Sequence, residues 1–192
     1  CALPILYFNK RILLEAMRPD LPLLERFNYL GIYSNNLDEF FRVRVASLRR
    51  LIDSAEELPS AERKKAKETL RTILRLNREY SQLFDETFAQ LVRELKDAHI
   101  HIINEHELTS SQEEEVLSFF MDKINGFTNP IFINSPTFNP EQHLKESLYL
   151  AVVLWHDQEE PETGHEVALL EVPVRELGRF FRLRDEGGES YL

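Results

Sequence analysis

The feature that most constrains the fold is the segment between residues 61 and 97, which contains neither proline nor glycine. Along it, apolar and small residues recur at spacings of four and three, the period of one face of an α-helix. The positions on this face are Ala66, Leu70, Ile73, Asn77, Tyr80, Phe84, Thr87 and Leu91. A helix of this length would extend roughly 55 Å at ~1.5 Å per residue. It needs partners along its apolar face, so the spacing predicts an antiparallel helical bundle.

Two shorter apolar stripes precede this segment and predict two more helices. The first consists of Leu23, Leu24, Phe27 and Leu30, and the second of Leu37, Phe41, Val45, Leu48 and Ile52. Gly31 is a typical C-terminal cap, so we expect the first helix to end there. The second helix would then begin near the adjacent asparagines Asn35 and Asn36. Pro59 predicts a break before the long helix, with Ser60 as the N-cap.

The pattern changes after Asn104, where short β-type runs replace the long helical stripes. Ser110 and Glu113 form a capping box that predicts a helix as far as Ile124. The predicted strands, which prolines and polar turns separate, are Ile131–Ile133, Tyr149–Trp155, Val167–Val172 and Phe180–Leu183.

The fold class that follows is α+β. We expect an antiparallel helical bundle with a long helix over residues 1–104 and a small α+β domain over residues 105–192. The second domain is expected to be incomplete, because the chain stops shortly after Gly187 and Gly188.

Charge is distributed unevenly between these two parts. Residues 1–104 carry 17 Lys/Arg and 15 Asp/Glu, whereas residues 105–192 carry 6 and 18. The first part therefore has the cationic groups to bind an anion, and the strongly acidic second part does not. The overall net charge of −10 and the lack of interleaved aromatic and basic residues argue against a nucleic-acid-binding protein.

Other observations exclude further classes of protein. The longest apolar run, Leu148–Trp155, is far shorter than the ~20 residues of a membrane-spanning helix, and no signal peptide is evident at the start. The single cysteine, Cys1, cannot form an internal disulfide, which is typical of a protein of the reducing cytoplasm. No G-x-x-x-x-G-K-[ST] string occurs, so the sequence excludes a conventional P-loop kinase.

The adjacent asparagines are the first candidate for a ligand site, because spare amide groups suit the recognition of a polar ligand. The alternative is that Asn35 or Asn36 simply caps a helix, with Asp38 or Glu39 in its first turn. Both interpretations hold together if one asparagine caps the helix and the other binds.

A cationic run and a group of histidines are the other candidates. Arg42, Arg44, Arg49 and Arg50 follow the asparagines. Arginine suits bidentate contacts with phosphate, so Arg44 and Arg49 are candidates for a phosphate path; the alternative is a solvated helix face paired with acids. The residues His99, His101, Glu105 and His106 have a spacing that a metal site can use. We favour a structural role for them and predict no metal site, and we expect His156 and His165 to be exposed.

Several longer stretches resemble the N-terminal part of the bacterial polyphosphate kinase family, the ATP-polyphosphate phosphotransferases. They are FNKRILLEA (Phe8–Ala16), ERFNYLGIYSNNLDEFFRVRVA (Glu25–Ala46), INEHEL (Ile103–Leu108), TNPIFINSP (Thr128–Pro136) and ALLEVP (Ala168–Pro173). The run YSNNLDEFF, followed by Val43 and Arg44, is long and specific. The similarity extends from about Tyr7 to Phe181. Before Tyr7 the sequence departs from the family's pattern, in which a tryptophan-containing segment precedes the Phe-Asn pair.

The resemblance implies the N-terminal helical domain and the first part of the head domain of a much longer enzyme. That family transfers the terminal phosphate of ATP reversibly onto polyphosphate through a phosphohistidine, with Mg²⁺. Its phosphorylated histidine and its phosphate- and metal-binding residues belong to C-terminal domains. We therefore expect no catalytic or metal-binding residue in this chain, and no activity from it alone.

The resemblance also implies a role for one of the two asparagines. In the family the second asparagine of the motif contacts the bound nucleotide, and by position this is Asn36, whose amide complements an adenine edge or a ribose. The helical part would form one wall of the nucleotide site, and the head part would contact other subunits of a homo-oligomer. Implied ligands are ATP, ADP and polyphosphate, in the cytoplasm, with peripheral attachment to the inner membrane left open. The alternative function is a stand-alone helical scaffold that binds another protein along residues 61–97.

Overall fold

The computed structural model describes residues 2–53, 59–145, 147–155, 165–185 and 187–192, and it divides the chain into two compact units. The first unit is Cys1–Ile100, and the second is His101–Leu192. The expectation for His156 lies outside the described residues. Within the described residues, no helix is both long enough and apolar enough to cross a membrane.

The first unit is helical, as predicted. Its helices are α1 (Leu3–Ala16), α2 (Leu23–Glu39), a π-helical segment (Phe40–Val45), α3 (Ala46–Asp53) and α4 (Ser60–Asp97). The long helix α4 is confirmed almost to the residue. Its N-cap is Pro59 rather than Ser60. The reason is that proline's fixed φ and extended backbone complete the turn into the helix, and Ser60 becomes the first helical residue.

The core of the helical unit lies where α1, α2 and α4 meet. All eight positions of the predicted apolar face of α4 are buried or half-buried. They pack against a cluster that includes Leu6, Leu13, Leu30 and Tyr33 from the two shorter helices. Each such side chain contributes about 1.5–3 kcal/mol when fully buried. The packing of amphipathic faces, more than helix propensity, therefore stabilises this unit.

Helices α1 and α2 run antiparallel, and two buried polar side chains join them. The Nδ2 of Asn9 donates to the carbonyl oxygen of Tyr33 at 3.0 Å. The Nε of Arg26 donates to the carbonyl oxygen of Ala16 at 2.9 Å. Arg26 also forms an ion pair with Glu94 on α4, with 2.5 Å between Nη1 and Oε2. These bonds set how the three helices align along their lengths.

The first helix of the second unit is α5 (Ser110–Phe119), which passes into a π-helical turn (Phe120–Ile124) and a 3₁₀ turn (Asn125–Phe127). The predicted capping box is displaced by one residue. Thr109 is the N-cap, and its partner is Gln112, not Ser110 with Glu113. Thr109 and Gln112 have the same three-residue spacing, and burial of Gln112 favours this register over the neighbouring one.

The structure also contains two small sheets. Strand β1 (Ile100–His101) pairs with β5 (Ser190–Tyr191), and the other sheet has the order β2-β4-β3. Its strands are β2 (Pro130–Phe132), β3 (Leu148–Trp155) and β4 (His165–Val172), all antiparallel, with Leu150 opposite Leu170. The short helix α6 (Pro140–His143) lies between β2 and β3, and the short helix α7 (Val174–Leu177) follows β4. The α+β class is thus confirmed.

The strand predicted at Phe180–Leu183 is absent, and this prediction was wrong. Leu183 is buried and its N–H donates to the carbonyl oxygen of Tyr191 at 3.1 Å, but Phe180 is 64% exposed. The segment alternates apolar and charged residues, and this pattern buries the side chain of Leu183. A β-strand requires a ladder of backbone hydrogen bonds, and the one bond to Tyr191 does not form such a ladder.

Candidate functional site

The adjacent asparagines lie inside a helix, not at its start. Helix α2 runs unbroken through Gly31, Asn35 and Asn36 and continues directly into the π-helical segment. The predicted C-cap at Gly31 and the predicted N-cap at the asparagines are therefore wrong. A glycine costs only about 1 kcal/mol inside a helix, and packing of this helix against α1 and α4 outweighs that cost.

The π-helical segment Phe40–Val45 is a feature that the periodicity did not reveal. It falls inside the run YSNNLDEFFRVRV, directly after the asparagines. The i→i+5 hydrogen bonds of a π-helix widen the turn and rotate the residues that follow it, and such segments occur frequently at functional sites. Here the wider turn brings positions spaced by four, namely Asn36, Phe40 and Arg44, towards one line along the helix.

These three residues line a pocket of about 340 Å³ in the helical unit. Its other lining residues are Ile5, Phe8, Asn9, Glu39 and Val43. Residues from α1 and from α2 meet here because the two helices are antiparallel, which places the first turns of α1 beside the end of α2. Of the sequence-derived candidates, the structure brings Asn36 and Arg44 together; Arg49 is exposed and does not line this pocket.

The pocket combines apolar surface with a few polar groups. Phe8 is 58% exposed, and Val43 and Ile5 are also exposed, so the pocket presents apolar surface to solvent. Asn36 contributes an amide, Glu39 a carboxylate and Arg44 a guanidinium. Apolar walls with a small number of polar groups are typical of small-molecule sites. This arrangement fits a flat heterocycle with polar substituents better than a bare anion.

Arg44 also lines a second, larger hollow of about 810 Å³ beside the start of α4. Lys65 supplies a second cation there, together with the hydroxyls of Ser47 and Thr69 and the carboxylate of Glu62. Arg42, in contrast, forms an exposed ion pair with Asp38 at 2.7 Å. The arginines of the cationic run therefore have different surroundings, and Arg44 is the one that borders both pockets.

Asn9 is a lining residue that the search for motifs missed. It is only 3% exposed, and its Oδ1 has no hydrogen-bond partner among the described residues. A signal was present in the sequence, since Asn9 interrupts the otherwise apolar stripe of Leu6, Leu13 and Ala16 at helical spacing. A buried amide in such a stripe is costly unless it is hydrogen-bonded.

Tyr33, three residues before Asn36 on α2, is buried in the core of the helical unit. It is 2% exposed, and its ring stacks on Phe84 with 5.7 Å between the centroids. Burial, with a smaller effect from Tyr80, raises the pKa of the Tyr33 hydroxyl to about 12. Its hydroxyl finds no hydrogen-bond partner in the part of the chain that the structure describes. Tyr33 therefore stays neutral at physiological pH.

The histidines of the domain junction form no cluster. The Nε2 of His101 lies 2.5 Å from Oε2 of Glu189, and its ring stacks on Tyr191. His106 contacts Glu105 at 3.6 Å, where both side chains are largely exposed. His165 is exposed and lies against Trp155. Over the described ranges, no group of three or more His, Cys, Asp or Glu side chains is arranged to hold a metal ion.

Comparisons with known proteins give a consistent result. The family profile of the polyphosphate kinase N-terminal domain matches residues 2–103. A polyphosphate kinase of Escherichia coli K12 is 36% identical over 182 residues, covering 94% of this chain and 25% of that protein. One of Vibrio parahaemolyticus serotype O3:K6 is 34% identical over 194 residues, covering 96% of this chain and 25% of that protein.

A solved structure is similar as well. The crystal structure of a polyphosphate kinase from Porphyromonas gingivalis has a TM-score of 0.74 and 26% sequence identity, over 100% of this chain and 28% of that one. The chain thus spans about a quarter of the length of the curated relatives it matches.

Proposed function

The chain belongs to the polyphosphate kinase family, and we propose that it acts as the N-terminal portion of an enzyme that phosphorylates polyphosphate from ATP. We assign residues 1–104 to the N-terminal helical domain and residues 105–192 to part of the head domain. In this proposal the enzyme transfers the terminal phosphate of ATP reversibly, through a phosphohistidine and with Mg²⁺. The histidine and the metal ligands would lie outside residues 1–192, and this portion alone would be inactive.

Within that enzyme, the helical domain forms one wall of the nucleotide site. The observation that carries this proposal is the pocket lined by Asn36 and Arg44, with Phe8 exposed on its opposite side. An amide beside an exposed aromatic ring suits a nucleotide base, because the ring offers a stacking surface and the amide pairs with the polar edge. The correction to the helix boundaries supports this role, since Asn36 has no capping function inside α2.

The test is to substitute Asn36→Ala in a full-length enzyme that carries this sequence as its N-terminal part. Loss of one ligand hydrogen bond weakens binding by about 0.5–1.5 kcal/mol, so the KM for ATP should rise by up to about tenfold. Asn35→Ala is the matched control, because Asn35 is exposed on the same helix but does not line the pocket. An unchanged KM for ATP in the Asn36 variant would overturn the proposal.

Arg44 and Arg49 are proposed to border the path of the phosphates. The position of Arg44 between the two hollows favours it over Arg49. An arginine that contacts a polyanion makes binding salt-dependent, because association releases counterions. We expect Arg44→Gln to reduce the salt dependence of polyphosphate binding and Arg49→Gln to reduce it less. Equal salt dependence in both variants and the parent enzyme would remove both residues from the path.

The head portion is proposed to contact a second copy in a homo-oligomer. The support is strand β3, in which Leu148, Leu150 and Trp155 are each at least half exposed. Exposed apolar side chains in one strand are typical of a surface that another element covers. Substitution Leu150→Glu should lower the oligomer mass measured by light scattering. An unchanged mass would mean that another part of the same polypeptide covers this strand.

A further inference from the structure

We propose that Asn9 is a positioning residue for the nucleotide site, because it fastens α1 to α2 one turn before Asn36. This inference rests on the proposed role of Asn36 and extends it to a residue on another helix. Asn9 acts through Asn36, whose position relative to α1 it fixes.

The orientation of the Asn9 amide follows from its partner. The atom 3.0 Å from the side chain is a backbone carbonyl oxygen, that of Tyr33, which can only accept a hydrogen bond. The nitrogen Nδ2 must therefore face Tyr33, and Oδ1 must face away, where it has no partner among the residues described. A leucine at this position would pack in the stripe without the cost of burying an amide. The bond to Tyr33 offsets part of the cost of burying the amide.

This bond holds the two walls of the pocket together. Tyr33 precedes Asn36 by three residues on α2, so a fixed point at its carbonyl limits how far Asn36 can move. On the other side, Phe8 is the direct neighbour of Asn9 on α1, and Ile5 lies one turn earlier. This hydrogen bond, which spans 24 positions of sequence, therefore fixes the separation of the exposed ring and the amide at the pocket, where the core packing of α1 and α2 ends.

The experiment measures steady-state kinetics of the full-length enzyme with Asn9→Leu, Asn36→Ala and both together. Leucine has the same branched four-atom skeleton as asparagine and removes the donor, although its methyl groups are larger than the amide. We expect Asn9→Leu to raise the KM for ATP by about fivefold to tenfold, within the range of one lost hydrogen bond, with kcat changed less than KM. Since Asn9 acts through Asn36, the double variant should have nearly the same KM as Asn36→Ala alone.

Two controls separate positioning from stability. Leu13→Val removes buried volume one turn along α1, away from the pocket, and should lower the melting temperature without changing the KM for ATP. Asn9→Ala also removes the donor and adds no volume, so it should reproduce the KM of Asn9→Leu. It also serves if the leucine variant does not fold.

The outcomes distinguish this inference from the proposed function. If Asn36→Ala raises the KM and the effect of Asn9→Leu multiplies it in the double variant, Asn9 does not act through Asn36. If Asn9→Leu and Asn9→Ala leave the KM unchanged, the bond has no positioning role. Either result overturns only the inference about Asn9. An unchanged KM in Asn36→Ala would instead overturn the nucleotide role and the inference with it.

Discussion

Leu13 and Leu150 are the same residue type in opposite surroundings. Leu13 is fully buried between the helices of the first unit, whereas Leu150 on strand β3 is 59% exposed. The contrast extends to the units as wholes. Apart from Ala168 and Leu183, every buried apolar residue of the described ranges belongs to the helical unit.

The comparison indicates two different sources of stability. The helical unit buries its apolar faces against its own helices, so its stability is contained within residues 1–100. The second unit has a sheet whose central strand β4 is largely covered but whose edge strand β3 remains exposed. An exposed apolar edge is unfavourable in water, so in the proposed homo-oligomer this unit would gain stability from surface supplied by other polypeptide.

We expect the largest difference in the free energy of unfolding when each of these two leucines is truncated to alanine. Leu13→Ala should lower the free energy of unfolding by about 2–5 kcal/mol, because it leaves a cavity in a packed core. Leu150→Ala should change it by less than about 0.5 kcal/mol in this chain. Urea denaturation followed by far-UV circular dichroism checks both values.

The same pair of variants can also contradict the expected difference between the two units. If Leu150→Ala costs as much as Leu13→Ala in the 192-residue chain, then β3 already has a covering partner in solution. A cost that appears only in the full-length enzyme would instead identify the cover as polypeptide beyond these residues.

A second contrast concerns ion pairs. Arg26 is 6% exposed and pairs with Glu94 while donating to Ala16, whereas Arg184 of the second unit lies 3.8 Å from Glu115 and its side chain is 89% exposed. Arg26→Met should cost about 2–3 kcal/mol, because it leaves a carboxylate and a carbonyl without their donor. Arg184→Met should cost less than about 0.5 kcal/mol. Equal losses of unfolding free energy in the two variants, measured by urea denaturation, would contradict the prediction that the buried ion pair contributes more.

The buried pair also predicts a response to acid. Burial raises the pKa of Glu94, but the hydrogen bonds from Arg26 and Gln90 and the charge of Arg26 outweigh it and hold the pKa below the ordinary 4.5. The contribution of this carboxylate is therefore fully present above pH 4.5 and is lost as the pH falls below it. Glu94→Gln should be less stable at neutral pH, and the difference from the parent should shrink in acid. A constant difference across this range would assign the cost to packing alone.

Much of the helical unit could be predicted from the sequence, because the helical periodicity of apolar residues continues over the whole length of α4. Its face repeats at fixed spacing, and no proline or glycine interrupts it. The boundary at Gly31 failed for the opposite reason. A local cap signal competed with the packing of α2 against two other helices, and packing was stronger. Strand β3 could be predicted because its apolar run is long. The capping box was displaced by one residue because the local sequence alone does not decide between two neighbouring positions for the start of a helix.

The candidate site was only partly accessible from the sequence. Asn36 and Arg44 stood out through the resembling motif, and the structure brings both to one pocket. Phe8 and Asn9 belong to the same pocket but come from α1, so only the antiparallel packing of α1 and α2 could join them to it. The π-helical segment has no periodic signature, since it depends on one register shift of backbone hydrogen bonds.

We expect the smallest changes in the free energy of unfolding when the hydroxyl of Tyr33 or of Tyr149 is removed. That of Tyr33 has no partner in the described residues, whereas that of Tyr149 on β3 accepts a hydrogen bond from the N–H of Lys145 at 3.0 Å. Tyr33→Phe removes an unpaired buried group and should leave the free energy of unfolding unchanged or raise it by up to about 1 kcal/mol at neutral pH. Tyr149→Phe breaks a bond that is made and should cost about 0.5 kcal/mol.

The difference in stability between Tyr33→Phe and the parent protein should increase at alkaline pH. The pKa of Tyr33 is raised from 10.0 to about 12 by burial, so the folded unit holds this proton more tightly than the unfolded chain does. The resulting stabilisation is complete below pH 10 and is lost as the pH rises from there towards the folded pKa. Tyr33→Phe removes this loss, and its unfolding free energy should fall less steeply than that of the parent in this interval. Parallel curves for the two proteins would mean that the hydroxyl is solvated, and that the helical core is more open at Tyr33 than its 2% exposure indicates.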